Sequence, residues 1–208
     1  MRGQRRIAIY GGSFDPVHLG HLAVATETLQ LFEIDRLLFL PARQAPHKLE
    51  REVTAPLHRY AMLALATQHQ QQMLVSTYEL ALPERCYTVD TLAHFKTEMG
   101  ETTEQFFIMG ADSWSEITTW REWQKVLNMT NHIVVTRPGY EVKVDQVGEL
   151  TSQVVDVRGW TTLQVSQALS ESNSPKIYIT DVAMVDVSAT EIRNAARLGR
   201  DEKLATMV

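Results

Sequence analysis

Two histidines follow a pair of glycines near the start of the chain, at a spacing that suits anion binding. Gly11 and Gly12 end a short apolar run, and His18 and His21 come soon after it. Glycine lets a backbone approach a ligand closely because no Cβ intervenes. A helix that begins near Pro16 would present free N–H groups and the positive end of its dipole. Histidines three residues apart share one face of such a helix, so the segment favours a phosphate site.

Each part of this segment also has an ordinary structural explanation. A Gly-Gly turn is common, and two histidines at helical spacing are usually polar surface residues. The other phosphate motifs fail, since the chain has neither Gly-x-x-x-x-Gly-Lys-Ser/Thr nor Gly-x-Gly-x-x-Gly. His18 and His21 have no His-Glu-x-x-His context and no cysteine cluster. We therefore expect no protein-bound metal site.

Composition narrows the class of protein. The 208 residues carry a formal net charge of −5 without a long lysine or arginine run, so we expect no nucleic-acid polymer as partner. The single cysteine, Cys86, allows no internal disulfide and is interpreted as a small buried residue. No apolar run reaches the ~18 residues of a membrane span, and residues 7–10 are too few for a signal peptide. We expect a cytoplasmic protein.

Short apolar runs alternate with helical patterns, which predicts a parallel sheet covered by helices in one domain over residues 1–208. Asp15 is the predicted N-cap of the first helix, with Pro16 at its first position. Ser188 is the predicted cap of a C-terminal helical part at about 188–208. The predicted strands cover residues 7–10, 37–41, 73–78, 106–110, 132–136, 154–155 and 176–179, and the predicted helices cover about 16–32, 56–69, 88–99, 113–127, 162–170 and 190 onward.

The segments richest in glycine and polar residues come directly after predicted strands. In parallel sheets, ligands bind beyond the carboxyl ends of the strands. We therefore expect these segments to form one shared pocket. They are residues 11–21, 41–48, 110–112, 137–139 and 188–193.

Taken in full, residues 11–21 resemble the signature of the nucleotidyltransferase superfamily, whose core is His-x-Gly-His. Here that core is His18-Leu19-Gly20-His21. The superfamily's second motif resembles residues 188–193, with Ala189 where a second serine is usual. The two motifs span nearly the whole chain. The resemblance implies a Rossmann-like, doubly wound parallel α/β sheet with helices on both faces.

Within that superfamily the chain is similar to the bacterial nicotinate-nucleotide adenylyltransferases. Several segments resemble that family's elements in order, although Ala45 replaces the first proline of its Pro-Pro-His-Lys loop. These segments are Pro41-Ala42-Arg43-Gln44-Ala45-Pro46-His47-Lys48, Arg59-Tyr60-Ala61-Met62, Tyr87-Thr88 with Asp90-Thr91-Leu92, Gly110-Ala111-Asp112-Ser113 with Trp120 downstream, and Arg137-Pro138-Gly139.

The resemblance implies a reaction. An acceptor phosphate would attack the α-phosphorus of ATP and release pyrophosphate. Nicotinate mononucleotide is the expected acceptor, deamido-NAD the product and NAD biosynthesis the setting. Because the attacking phosphate is already an anion, no general base is required. The rate acceleration then comes from positioning of the substrates and stabilisation of charge. Mg²⁺ should arrive with ATP and have few direct protein ligands.

The resemblance also implies residue roles. Without it, Asp112 is interpreted as a helix cap and Trp120 as a core residue. The expected catalytic residues are His18, His21, Lys48 and Arg193. The expected ATP-binding residues are Gly11, Gly12, Ser13, Phe14, His18, His21, Gly110, Asp112, Ser188, Thr190 and Arg193, and the expected acceptor-binding residues are Lys48, Tyr87, Thr88, Trp120 and Arg137.

Two alternatives stay open at this point. The same fold could use another acceptor, either nicotinamide mononucleotide or phosphopantetheine. The phosphopantetheine enzymes are shorter and lack the elements at Tyr87-Thr88 and Trp120. The chain could also be a nucleotide-binding sensor without catalysis, although both histidines and Arg193 are present. The oligomeric state is open.

Overall fold

The computed structural model describes residues 4–43, 53–83, 86–136, 142–182, 187–200 and 206–207. Its strands form one seven-stranded sheet in the order β3-β2-β1-β4-β5-β7-β6, and every neighbouring pair is parallel. The strands are β1 (Arg5–Gly12), β2 (Arg36–Pro41), β3 (Met73–Val75), β4 (Thr103–Gly110), β5 (Asn131–Val135), β6 (Val154–Asp156) and β7 (Ile177–Thr180).

Helices cover both faces of the sheet, which confirms the predicted α/β class. The α-helices are α1 (Leu19–Leu31), α2 (Pro56–Thr67), α3 (Tyr78–Ala81), α4 (Thr88–Met99), α5 (Ala111–Ser115), α6 (Trp123–Met129), α7 (Thr162–Glu171) and α8 (Ala189–Arg197). Two 3-10 segments, Ile117–Thr119 and Asp145–Gln153, complete the helical elements. None of the helices in the described ranges is both long and apolar enough to cross a bilayer.

Alternation along the strands divides the core into two layers. Successive strand side chains point to opposite faces of a sheet. Ala8 and Tyr10 accordingly pack with α1, α2 and α7, while Ile9 packs with α4, α5 and α6. The chain winds outward from β1 in both directions, so the order of strands reverses between β1 and β4. In a doubly wound sheet this is where a crevice opens for a ligand.

The predicted start of the first helix is wrong. Helix α1 begins at Leu19 with His18 as its N-cap, and residues 15–16 form a turn before it. The Asp15 carboxylate does not cap the helix. Its Oδ2 instead accepts a hydrogen bond from the Thr54 N–H at 3.4 Å and lies 4.0 Å from Arg193 Nη1. Contacts with distant parts of the chain thus replace the local cap.

Two other elements differ from the sequence prediction in extent. Strand β3 stops at Val75, and the end of the predicted strand belongs to α3, which is stabilised by packing on β2. The predicted helical region 113–127 is divided between α5, a 3-10 turn and α6. The predicted cap Ser188 is confirmed, since its Oγ accepts from the Glu191 N–H at 3.2 Å.

A buried arginine in α2 links the loop that follows β1 to the loop that follows β2. Arg59 of α2 is 1% exposed. Its guanidinium donates to the carbonyls of Ser13 at 2.6 Å and Ala42 at 2.7 Å. It also donates to the carbonyls of Arg43 at 3.2 Å and Thr54 at 2.9 Å. Burial lowers the pKa of Arg59, and the nearby Asp15 carboxylate opposes that shift.

Replacing Arg59 by methionine keeps most of the side-chain volume and removes every one of these donors. Buried carbonyls left without partners cost about 1–3 kcal/mol each before relaxation. We therefore expect Arg59→Met to lower the free energy of unfolding by about 3 kcal/mol or more, measured by urea denaturation.

Arg36 at the start of β2 provides the matched control, because it is exposed. Arg36→Met should change the free energy of unfolding by less than about 0.5 kcal/mol. Equal stability of the two variants would show that the Arg59 contacts do not hold the loops.

Candidate active site

A cavity of about 570 Å³ opens at the carboxyl ends of β1 and β4, where the strand order reverses. The structure brings most of the predicted site residues to its wall. Lys48 and Arg137 lie outside the described residues. The predicted residues that line the cavity are Gly11, Gly12, Ser13, Phe14, His18, His21, Tyr87, Thr88, Gly110, Asp112, Trp120, Ser188, Thr190 and Arg193.

The two histidines lie against each other at the entry to α1. Their ring centroids are 3.8 Å apart. His18 has an extended backbone as N-cap and is 4% exposed, while His21 belongs to the first helical turn. The predicted pairing of the two histidines is therefore confirmed, whereas the predicted position of His18 inside the helix is wrong. Both imidazoles lie at the start of α1, where the Leu19 N–H donates to the Met207 carbonyl at 3.1 Å and the positive end of the helix dipole suits anionic oxygens.

Phe14 fixes the loop that carries these histidines. Its ring is 2% exposed and packs edge-on against Tyr10, Phe39 and His21, at centroid distances of 5.4, 5.4 and 5.0 Å. The Phe14 backbone has a positive φ of 48°, which is uncommon for a side chain of this size. A Cβ on Gly12 would lie 3.0 Å from the Phe14 ring. A side chain at Gly12 would thus crowd the Phe14 ring, which supports this loop from within the protein.

The N-terminus of α8 faces this loop and is tied to it. Arg193 donates to the Asp15 carbonyl oxygen through Nη1 and to Thr190 Oγ1 through Nη2, the latter at 3.1 Å. The Arg193 side chain is only 18% exposed. Ser188 caps the helix, so its hydroxyl is already engaged with Glu191. The guanidinium is consequently held between α8 and the turn at Asp15, at the edge of the cavity.

Asp112 lies close to the end of β4 without capping α5. Gly110 is the N-cap of α5, and no side-chain cap is present. A Cβ on Gly110 would lie 2.5 Å from Asp112 Oδ1, so a side chain at this position would displace the carboxylate. The capping interpretation of Asp112 is therefore wrong, and its carboxylate is directed back over the strand end.

The opposite part of the wall is formed by α4 and the segment before α6. Tyr87 is the N-cap of α4, and the Arg121 guanidinium lies 4.9 Å from its ring centroid. Trp120 packs edge-on against Phe107 with ring centroids 6.3 Å apart. Trp120 is only partly buried, and it contacts the core as well as the cavity. The core interpretation of Trp120 is therefore confirmed in part, and its stacking on a pyridine ring stays a prediction.

Sequence reasoning missed a polar cluster in the same wall. Thr91 Oγ1 donates to Glu79 Oε1 at 2.8 Å and lies 3.1 Å from Cys86 Sγ. All three residues line the cavity, so the prediction that Cys86 is merely buried is wrong. Burial raises the pKa of Glu79 to about 7 and also raises the pKa of the Cys86 thiol. No local pattern marks Glu79, because its environment depends on how α3 packs against α4.

Within the ranges that the structure describes, no group of three or more histidine, cysteine, aspartate or glutamate side chains could hold a metal ion. Asp15 and Asp112 are carboxylates on the cavity wall close to the two motifs. A divalent cation at this site would therefore take most of its ligands from the bound phosphates and from water.

Comparison with known proteins agrees with this geometry. The cytidylyltransferase-like family model matches residues 9–195. The probable nicotinate-nucleotide adenylyltransferase of Thermoanaerobacter sp. (strain X514) is 36% identical over 98% of this chain and 88% of that protein. Its counterpart in Corynebacterium jeikeium (strain K411) is 35% identical over 91% of this chain and 87% of that protein.

Solved structures share the fold at lower sequence identity. The Plasmodium falciparum nicotinic acid mononucleotide adenylyltransferase complexed with NaAD matches with a TM-score of 0.66 and 20% identity, over 91% of this chain and 83% of that one. At such identity the match concerns the fold alone. The family-model match and the identities over nearly full length decide the family: this chain belongs to the nicotinate-nucleotide adenylyltransferases, within the cytidylyltransferase-like proteins.

Proposed function

We propose that this chain transfers the adenylyl group of ATP to nicotinate mononucleotide, giving deamido-NAD and pyrophosphate in NAD biosynthesis. The observation that carries the proposal is a single cavity whose wall holds the His18–His21 pair, Arg193 and the Tyr87–Trp120 region together. A transfer between two substrates needs such a shared site, because both reacting groups must be held in line.

The chemical step needs little from the protein beyond placement and charge. An oxygen of the acceptor phosphate forms a bond to the α-phosphorus of ATP. The bond from that phosphorus to the bridging oxygen breaks, and pyrophosphate leaves with the electron pair. The nucleophile is an anion, so no side chain has to remove a proton. Negative charge on the phosphoryl oxygens must instead be stabilised by fixed donors.

We assign the phosphate half of the cavity to ATP. His18 and His21 would donate to phosphate oxygens beside the first turn of α1, with the N–H groups of Gly11 to Phe14 nearby. Arg193 would hold the departing pyrophosphate, since a guanidinium binds two oxygens at once. Its anchoring by Asp15 supports this role, because a preorganised donor loses little freedom on binding. The Thr190 hydroxyl would complete this contact, and Ser188 would support it as the cap of α8, since its own hydroxyl donates to Glu191. Asp112 would accept from ribose hydroxyls.

We assign the opposite half to the acceptor. Trp120 would stack on the pyridine ring, and Tyr87 and Thr88 would contact its substituent from the N-terminus of α4. The free N–H groups of a helix N-terminus favour a carboxylate. Lys48 and Arg137, which lie outside the described residues, are proposed to reach the acceptor phosphate.

Mg²⁺ is the cation that we propose to accompany ATP, and when bound it would neutralise charge on the phosphates. Asp15 and Asp112 are the described carboxylates placed to contact it directly or through water. We propose that one domain over residues 1–208 carries the activity, since all seven strands join one sheet. The cytoplasm is the proposed location, because ATP is supplied there.

The reaction itself can be tested by pyrophosphate release. We expect release when the protein is mixed with Mg-ATP and nicotinate mononucleotide, and none when the acceptor is omitted. Phosphopantetheine should not replace the acceptor. Failure of nicotinate mononucleotide to support any release would contradict the proposal.

His21→Ala should lower kcat by about 100-fold or more, the usual effect of losing a donor to transition-state charge. Its free energy of unfolding should change far less, which circular dichroism during thermal melting would show. His69→Ala is the matched control, because His69 is exposed and does not line the cavity. Equal kcat values for the two variants would contradict the assignment of His21 to the phosphate site.

Trp120→Ala should raise KM for the acceptor about tenfold, in line with the ~1–3 kcal/mol of ring stacking on an aromatic side chain. KM for ATP should change little. Trp123→Ala is the control, since Trp123 packs against the same core without lining the cavity. A similar rise of both KM values in Trp120→Ala would contradict its assignment to the acceptor.

A further inference from the structure

The Glu79 carboxyl is an acidic group in the half of the cavity assigned to the acceptor. Thr91, which donates to Glu79 Oε1 at 2.8 Å, comes three residues after Thr88 on α4. Residues three apart on a helix share a face. Glu79 therefore lies alongside the helix turn whose N-terminus is proposed to contact the pyridine substituent.

Glu79 is poorly solvated in this position. The carboxyl makes no ion pair within the ranges that the structure describes. Burial raises its pKa to about 7, and the Thr91 hydrogen bond only partly opposes that shift. Near neutral pH the group is thus divided between its neutral and its charged form.

Two arginines lie near Glu79, but the contacts that they make are with other groups. Arg43 donates to the carbonyls of Leu80 and Leu82 at the end of α3. Arg121 lies over the Tyr87 ring and 3.8 Å from Asp90. Tyr78 and Cys86 interact electrostatically with Glu79. Other titratable and charged groups on the adjoining elements are Arg43, Tyr87, Asp90, His94, Glu98, Glu116 and Arg121, while Glu84 and Arg85 lie outside the described residues.

The two pyridine mononucleotides differ only in the substituent on the ring. Nicotinate carries a carboxylate, which repels a second carboxylate in a poorly solvated site. Nicotinamide carries a neutral carboxamide, whose N–H groups can donate to a carboxylate. The charge of a nearby carboxyl group therefore discriminates between them.

We propose that Glu79 is a specificity-determining residue whose protonated form admits nicotinate mononucleotide and whose ionised form favours nicotinamide mononucleotide. This inference rests on the proposed function, since it concerns the acceptor of that reaction. It also fixes the direction of the pH dependence. Because Glu79 loses its proton as pH rises, the preference for nicotinate mononucleotide over nicotinamide mononucleotide must fall with rising pH. Binding of nicotinate mononucleotide should be accompanied by proton uptake.

A competition between the two acceptors measures this preference directly. The protein is given Mg-ATP with both mononucleotides in one mixture, and the ratio of deamido-NAD to NAD is followed chromatographically. The acceptors share the same ribose phosphate, so titration of that phosphate and of the ATP site cancels in the ratio. We expect the ratio to fall at least about tenfold between about pH 6 and about pH 8, because the protonated fraction of one group titrating near 7 falls about tenfold over that range while its ionised fraction rises.

Two variants separate Glu79 from other titrating groups. Glu79→Gln keeps an oxygen for the Thr91 hydroxyl and cannot ionise, so its product ratio should not change with pH. Thr91→Val removes the hydrogen bond that favours the ionised form. Its midpoint should therefore move to higher pH, because the pKa of Glu79 rises further.

The outcomes distinguish this inference from the function on which it rests. A ratio that is independent of pH in the unmodified protein would overturn the role of Glu79, and so would an unchanged pH dependence in Glu79→Gln. A midpoint that moves in Thr91→Val supports it even if Glu79→Gln fails to fold. Formation of neither product at any pH would overturn the proposed function and this inference together.

Discussion

Four backbone carbonyls converge on the guanidinium of Arg59, and the geometry of the site depends on that interaction. The carbonyls belong to the loop after β1, the loop after β2 and the segment before α2. Backbone oxygens in such loops are costly to bury without donors. A planar group with five N–H donors can satisfy several of them at once. Arg59 thereby converts two separate loops into one rigid wall of the cavity.

The parallel sheet explains why this wall faces the other functional segments. Parallel strands bring their carboxyl ends to the same edge, so β1, β2 and β4 deliver their loops side by side. Helix α8 comes from the far end of the chain and is joined to the first loop by Arg193 and Asp15. Side chains from both ends of the sequence, which we propose as donors to phosphate, therefore meet, while α4 and Trp120 close the opposite side. One cavity can then hold both substrates of a transfer reaction.

Much of this arrangement could be predicted from the sequence, because its signals are local. Buried parallel strands are continuous apolar runs, and glycines mark the ends of β1 and β4. The predicted start of α8 at Ser188 is confirmed, because the capping hydrogen bond joins Ser188 to Glu191, only three residues away. The predicted start of α1 is wrong because the Asp15 carboxylate contacts Thr54 and Arg193, which are distant in sequence, and does not cap the helix.

The contacts of Arg59 and the environment of Glu79 could not be predicted from the sequence, because both depend on residues that are distant along the chain. Arg59 occurs in a recognised segment, but its four acceptors become visible only once the loops are folded around it. Glu79 is one carboxylate among many in the sequence. Its raised pKa arises from the burial that α3 and α4 impose. Charge states of buried groups depend on packing, and a single sequence does not contain that information in a readable form.

Adenylyl transfer by this chain requires that one cavity hold the adenylyl phosphate and the pyridine ring together. A crystal structure of the protein bound to deamido-NAD tests this directly. We expect the phosphates to lie within about 3.2 Å of donors on His18, His21 or the first turn of α1. The pyridine ring should lie against Trp120, beside the N-terminus of α4. A product molecule bound outside this cavity, or one whose pyridine ring lies away from Trp120, would contradict this expectation.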